Sequence, residues 1–184
     1  MDSMMFHHPN VRFCALQAKA MGLRIGFLKV NNDNELAKLE KSLARMIKSG
    51  NCEAVCCGAI ESEYQKQRID GICAHLGIPS FTPVWRTKDS MLGEVVGHFN
   101  AVFTKVAAGG FSESYLGRKF DQGFLDFCAK SSPKINPHLE GGEGETFVLD
   151  APFFASQIKV EKSEKKKDGS AGWLEFTKAR LAKK

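Results

Sequence analysis

Two segments combine residue types and spacings that can do chemistry. The first is Gly58-Ala59-Ile60-Glu61-Ser62-Glu63-Tyr64-Gln65-Lys66-Gln67-Arg68. Small residues lead out of an apolar run into a helix start, where Ser62 with Gln65 three residues on spells a capping box. Free N–H groups and the dipole at such an end favour an anion. Gly58 and Ala59 let a ring or phosphate approach the backbone, and Arg68 adds charge within the same helix. A tight strand-to-helix turn that binds nothing accounts for the same residues. The second segment is Glu140-Gly141-Gly142-Glu143-Gly144-Glu145-Thr146, three carboxylates spread over a flexible glycine-rich loop. Clustered carboxylates attract a metal or a positively charged substrate, and they raise one another's pKa values so that one can serve as a base. A polar surface loop is the plain alternative, and the Asp-x-Asp-x-Asp spacing of a calcium loop is absent.

Other candidates are weaker. His8-Pro9-Asn10 precedes a helix, with Asn10 as its cap; His75 and His98 fall inside helices; His138 follows Pro137. Cys56-Cys57 with His7-His8 would suit a metal, but a buried strand and a loop explain them, and no metal is expected. Neither a Walker loop nor GxGxxG is present. A Ser-His-Asp arrangement is recognised by geometry, which spacing does not supply.

The elements that must position these segments alternate in type. Asn10 to Met21 carries a helical apolar face stopped by Gly22, and Arg24 to Val30 reads as a strand. Asn34 caps a helix bearing Leu36, Leu39, Leu43 and Ile47. Ala54 to Ile60 is a short apolar run suited to a strand buried on both faces. The helix opened by Ser62 buries Ile69, Ile72, Cys73 and Leu76, stops at Gly77 and returns the chain to a strand near Pro83, which suits an edge or a strand end. Such alternation implies a mainly parallel sheet with helices on both faces, and ligands beyond the strand C-termini. After Trp85 the pattern loosens: a helix over Ser90–Phe99, a strand over Ala101–Val106, a helix over Phe120–Lys130, a polar loop to Gly144, a strand over Thr146–Leu149, and two extended segments around Asp168-Gly169 that read as a hairpin.

Composition bounds the rest. With 43% hydrophobic and 26% charged residues over 184, the chain is globular rather than disordered. No apolar run approaches a membrane span, and the start has no signal-peptide pattern. The six cysteines form no CxxC pair and read as reduced thiols of a cytoplasmic protein. The net charge of +5 concentrates in Lys162, Lys165, Lys166, Lys167, Lys178, Arg180, Lys183 and Lys184. Aromatics do not interleave with these lysines as a nucleic-acid platform requires, so a solvated basic hairpin is the preferred reading.

In order, Phe6-His7-His8-Pro9-Asn10, Gly58 to Lys66, Pro83-Val84-Trp85, Val106-Ala107-Ala108-Gly109-Gly110, Tyr115-Leu116-Gly117-Arg118 and Glu140 to Asp150 resemble the landmarks of the diphthine–ammonia ligases, N-type ATP pyrophosphatases. The resemblance covers nearly the whole chain. It implies an α/β fold: a Rossmann-like (adenine nucleotide α-hydrolase-like) parallel sheet followed by a smaller α+β domain. It also implies a reaction in which ATP, with magnesium, activates the carboxylate of diphthine, a modified histidine on translation elongation factor 2. Ammonia attacks the acyl-adenylate and leaves the amide. On this resemblance Gly58, Ala59, Ser62, Glu63, Tyr64 and Arg68 flank the nucleotide. Glu140, Gly141, Gly142, Glu143, Glu145 and Thr146 face the cationic diphthine side chain; no catalytic residue is assigned.

The family's pyrophosphate loop, Ser-Gly-Gly-Lys-Asp-Ser, lies upstream of the landmark matching Phe6–Asn10. The expectation is therefore an N-terminally truncated nucleotide-binding domain over 1–86 and an α+β domain over 87–184 ending in the basic β-hairpin. Leu139 and Gly144 stand where the family usually has a glycine and an aromatic. Besides the ligase, the readings weighed are a catalytically inactive nucleotide-binding or regulatory module, one half of a split ligase, and a nucleic-acid binder using the tail. The partners expected are elongation factor 2, ammonia, and either a missing N-terminal half or a second copy.

Overall fold

A computed structural model describes residues 9–31, 34–87, 90–107, 111–132 and 134–184. The landmarks at Phe6–His8 and Ala108–Gly110 lie outside the described residues. In chain order the elements are a 3-10 turn Val11–Phe13, α1 (Cys14–Ala20), α2 (Glu35–Lys48), β1 (Val55–Cys56), α3 (Glu63–Leu76), β2 (Ser80–Phe81), α4 (Ser90–His98), β3 (Asn100–Val106), a 3-10 turn Glu113–Tyr115, α5 (Gln122–Lys130), β4 (Gly144–Asp150), β5 (Gln157–Asp168) and β6 (Ala171–Ala182). The fold is mixed α/β, with one parallel and one antiparallel sheet. Contacts divide it into two compact units, one built mainly on Gly26–Lys88 and the other on His7–Ile25 with Asp89–Lys184.

In the first unit β1 and β2 run parallel, Val55 opposite Ser80 and Cys56 opposite Phe81. Ile69 and Cys73 on α3 form a small core with Leu36 and Leu39 of α2, Val55, Tyr64 and Ile78. Helix α3 ends at Gly77, whose φ of 70° lets Ile78 N–H reach back to Cys73 O at 3.1 Å. Only glycine takes that left-handed stop without steric cost. Two expectations fail here. Residues 24–30 form no strand, and Leu23, Ile25, Phe27 and Leu28 are exposed. The run at Ala54–Ile60 yields only a two-residue strand, and Cys56 is exposed. A strand is buried on both faces only where other elements cover each face; Val55 packs into the α2–α3 core, while the opposite face at Cys56 is exposed.

In the second unit four antiparallel strands lie in the order β4-β3-β6-β5. The β5–β6 hairpin pairs from Gln157–Ala182 to Asp168–Ala171, far longer than the sequence pattern indicates. Strand β3 meets β6 only at Lys105–Trp173 and Val106–Gly172. Beyond that point the two edges part and each finds another partner. Phe103 N–H donates to Arg118 O at 3.0 Å and Phe120 N–H to Ala101 O at 2.8 Å, so residues 117–120 complete β3. On β6 the Asn10 side chain takes the vacant place: its Nδ2 donates to Leu174 O at 2.8 Å and its Oδ1 accepts from Phe176 N–H at 2.6 Å. The Arg12 guanidinium donates to Phe176 O at 2.9 Å. Asn10, buried and at φ 66°, makes no side-chain cap to the turn that follows, contrary to the role read for it. Asn34 likewise makes no side-chain cap to α2. The core centres on Phe103, fully buried, whose ring meets Phe124 at 4.7 Å and Phe111 at 5.3 Å between centroids. Such edge-on pairs add to the burial of apolar area.

Candidate functional site

The first candidate segment sits at the C-terminal end of the parallel strands. Its turn leaves β1 at Cys56 and enters α3, where Ser62 Oγ accepts from Gln65 N–H at 3.4 Å, as the capping box requires. Ala59, 3% exposed, anchors the turn, whereas Gly58 is exposed with open space where a Cβ would point. Ile60 O accepts from Arg86 N–H at 2.7 Å, which ties this turn to the one that follows β2. Arg86 holds a φ of 51°, the left-handed region that costs a branched or long residue about 1 kcal/mol or more. Its guanidinium donates to Glu63 Oε1 at 2.6 Å.

The side chains around this junction are aromatic and cationic. Arg68 stacks on Tyr64, its guanidinium carbon 3.2 Å from the ring centroid, and also donates to Tyr64 O at 3.2 Å. Trp85 lies between Lys66, 5.7 Å from its ring centroid, and the Arg86 guanidinium at 5.4 Å. Asp70 ties α3 to β2 by accepting from Lys66 and the Ser80 hydroxyl, and those bonds hold its carboxyl below the usual carboxylate range. Flat rings beside guanidinium groups at a strand end suit a ligand with a planar base and negative charge. Trp85 and Arg86 were not singled out as site residues from the sequence. The signal available was their position directly after the second parallel strand, the same edge that Gly58–Ser62 occupies after the first.

The second segment belongs to the other unit, and its glycines serve different ends: Gly144 packs closely, whereas Gly142 takes a positive φ in open space. A Cβ at Gly144 would lie 2.6 Å from Phe111 Cε1 and 2.7 Å from Lys105 O; one at Gly141 would lie 2.7 Å from Glu143 Oε1. Gly142 has φ 80° and Leu139 φ 60°, so Leu139 carries left-handed strain that a glycine would avoid. Leu139 N–H donates to Asn136 O at 2.9 Å, His138 N–H to Asn136 Oδ1 at 2.9 Å, and Ala107 N–H to Glu143 O at 2.7 Å.

The three carboxylates therefore differ. Glu145 stands 3.6 Å from Lys105, each side chain 15% exposed, so much of its charge is matched. Glu143 turns inward, with Oε1 accepting from Asn136 N–H at 3.3 Å; Oε2 is buried and meets no hydrogen-bond donor among the described residues. Burial of the Cys128 thiol, with the Glu143 charge as the lesser cause, pushes that thiol up to about 11. Glu140 is half-buried and Thr146 is exposed. Among the described residues no group of three or more His, Cys, Asp or Glu is arranged to hold a metal, and no helix is long and apolar enough to cross a membrane.

With both segments placed, the relatives can be set against them. Residues 1–80 match the diphthamide synthase N-terminal domain and residues 87–182 the diphthamide synthase C-terminal domain. This chain belongs to the diphthamide synthase family. The human diphthine–ammonia ligase is 31% identical over 154 residues, covering 81% of this chain and 57% of its own length. The Bos taurus protein of the same name is 33% identical over 136 residues, covering 71% and 51%. That of Danio rerio is 29% identical over 201 aligned residues, covering 97% and 78%. The chain thus spans little more than half the length of the two mammalian relatives.

Proposed function

We propose that this chain supplies nucleotide-binding and substrate-binding parts for the ATP-dependent amidation of diphthine on translation elongation factor 2. The carrying observation is the Ile60–Arg86 hydrogen bond, which brings the turns after both parallel strands together beside Tyr64, Arg68, Trp85 and Lys66. In this reading β1, β2 and α3 belong to a Rossmann-like nucleotide domain over residues 1–86, with the α+β domain over 87–184; the two matched domains, meeting between 80 and 87, support that division.

A carboxylate has no leaving group that ammonia can displace. One carboxylate oxygen attacks the α-phosphorus of ATP, pyrophosphate departs, and the acyl carbon then carries AMP as its leaving group. Ammonia adds to that carbon, AMP leaves with the bond electrons, and a proton is lost to give the amide. Gly58, Ala59, Ser62, Glu63, Tyr64 and Arg68 flank the nucleotide: the open side of Gly58 admits it, and the cations balance charge that grows on the departing phosphates. Magnesium arrives with the triphosphate. Glu140, Gly141, Gly142, Glu145 and Thr146 form the face toward diphthine, and Glu143, read from the sequence as part of that face, turns inward behind it. A substrate that is a translation factor places the protein in the cytoplasm. Exposed Leu23, Phe27, Leu28 and Phe81 support association with a second copy or a complementary chain.

The test is incubation of the chain with diphthine-bearing elongation factor 2, ATP, magnesium and ammonium. AMP release and conversion of the carboxylate to the amide by mass spectrometry are expected together. ATP binding by the chain with no AMP release and no amide would reject the ligase reading.

A further inference from the structure

We infer that Glu143 is a positioning residue: its inward carboxylate is the strut that shapes the Asn136–Thr146 turn. The inference rests on the reading of that turn as the diphthine-facing surface. Glu143 acts on the backbone rather than on solvent. Its Oε1 receives Asn136 N–H, and Asn136 in turn receives Leu139 N–H at its carbonyl and His138 N–H at its side chain. Its own carbonyl receives Ala107 N–H, which fastens the turn to the end of β3. Gly141 lies flush against the same carboxylate, 2.7 Å from Oε1 at the position of a Cβ. Both ends of the turn therefore meet at Glu143, one through its carboxylate and the other through its main-chain carbonyl. Glu145 does not share this role, since it faces Lys105 across the β3–β4 pair.

A strut and a charge contact respond differently to Gln. Glu143→Gln keeps the shape and an acceptor oxygen for Asn136 while removing the charge. Glu143→Ala removes the acceptor and the volume. In the full chain two readouts are taken: hydrogen exchange at the Asn136 amide, and affinity for purified diphthine-bearing elongation factor 2. The expected result is that Glu143→Gln keeps Asn136 protected and binds within about threefold of wild type, because neutral amide and carboxylate oxygens both accept. Glu143→Ala should lose that protection and weaken binding about tenfold or more, at retained global fold by circular dichroism. Equal loss of affinity in both variants would overturn the inference, because Glu143 would then act by charge. Unchanged Asn136 exchange in Glu143→Ala would overturn it as well. If the wild-type chain binds no diphthine-bearing factor, the functional reading fails and the positioning role falls with it. The exchange data alone would then report a purely structural side chain.

Discussion

Asn10→Ala is expected to be among the most damaging single changes to the C-terminal unit, although Asn10 stands outside the sheet it completes. The substitution removes the two hydrogen bonds that Asn10 makes to Leu174 O and Phe176 N–H. Both groups belong to β6 where β3 has diverged, at strand residues whose side chains are buried. A buried backbone group left unpaired costs about 1–3 kcal/mol. A further ~1 kcal/mol comes from placing alanine at φ 66°, where asparagine is better tolerated. With two such groups the total is about 3–7 kcal/mol, a large share of an ordinary domain's stability. Asn10→Gly loses the same bonds but relieves the backbone, so it should be less damaging than Asn10→Ala by about 1 kcal/mol. Asn10→Asp keeps an acceptor for Phe176 N–H but sets a second oxygen against Leu174 O, and should not rescue. The assay is equilibrium urea unfolding followed by Trp173 fluorescence, with amide exchange at Phe176 as the local reporter. A loss under ~1 kcal/mol for Asn10→Ala, with Phe176 still protected, would refute the reasoning that this side chain stands in for a strand.

Further outcomes follow from the same geometry. Gly144→Ala should destabilise the C-terminal unit by about 1–3 kcal/mol in a thermal melt, because its Cβ meets both the Phe111 ring and the Lys105 carbonyl. Cys128, its thiol pushed up to about 11, should be among the last cysteines alkylated by iodoacetamide at pH 8, read by peptide mass mapping. Asp70 has its folded pKa lowered by Lys66 and Ser80, so its contribution is present above the unfolded carboxylate pKa and is lost as pH falls through the lower folded value. Asp70→Asn should therefore melt below wild type at pH 7, with the gap closing in acid; a gap that persists at the lowest pH would contradict the linkage.

The sequence made several local features legible because their causes lie within a few residues. Ser62 and Gln65 announce the start of α3, and Gly77 its end, through contacts one turn apart. Apolar spacing marks α4, α5 and β3, and Asp168-Gly169 marks the hairpin turn. Strand status did not follow in the same way. Residues 24–30 carry the apolar content of a strand, yet a strand exists only when another backbone receives its N–H and C=O groups, and apolar content carries no information about that partner. The segment at Glu140–Thr146 shows the same limit. Its glycines allow positive φ and close approach, and only the fold shows which is used where: Gly142 takes φ 80°, and Gly144 packs against Phe111 and Lys105.

Residue order alone thus determined where α3 begins and stops and that the chain is α/β, and it marked Gly58–Arg68 and Glu140–Thr146 as candidate segments. Tertiary structure decided what each side chain does there. Asn10 reaches Leu174 across 164 residues, Arg86 joins Ile60 at the strand ends, and Glu143 faces inward while Glu145 meets Lys105. The physical reason is range: propensity and capping act between neighbours in the chain. Hydrogen-bond completion, charge matching and steric exclusion act between neighbours in space, which the folded backbone alone brings together.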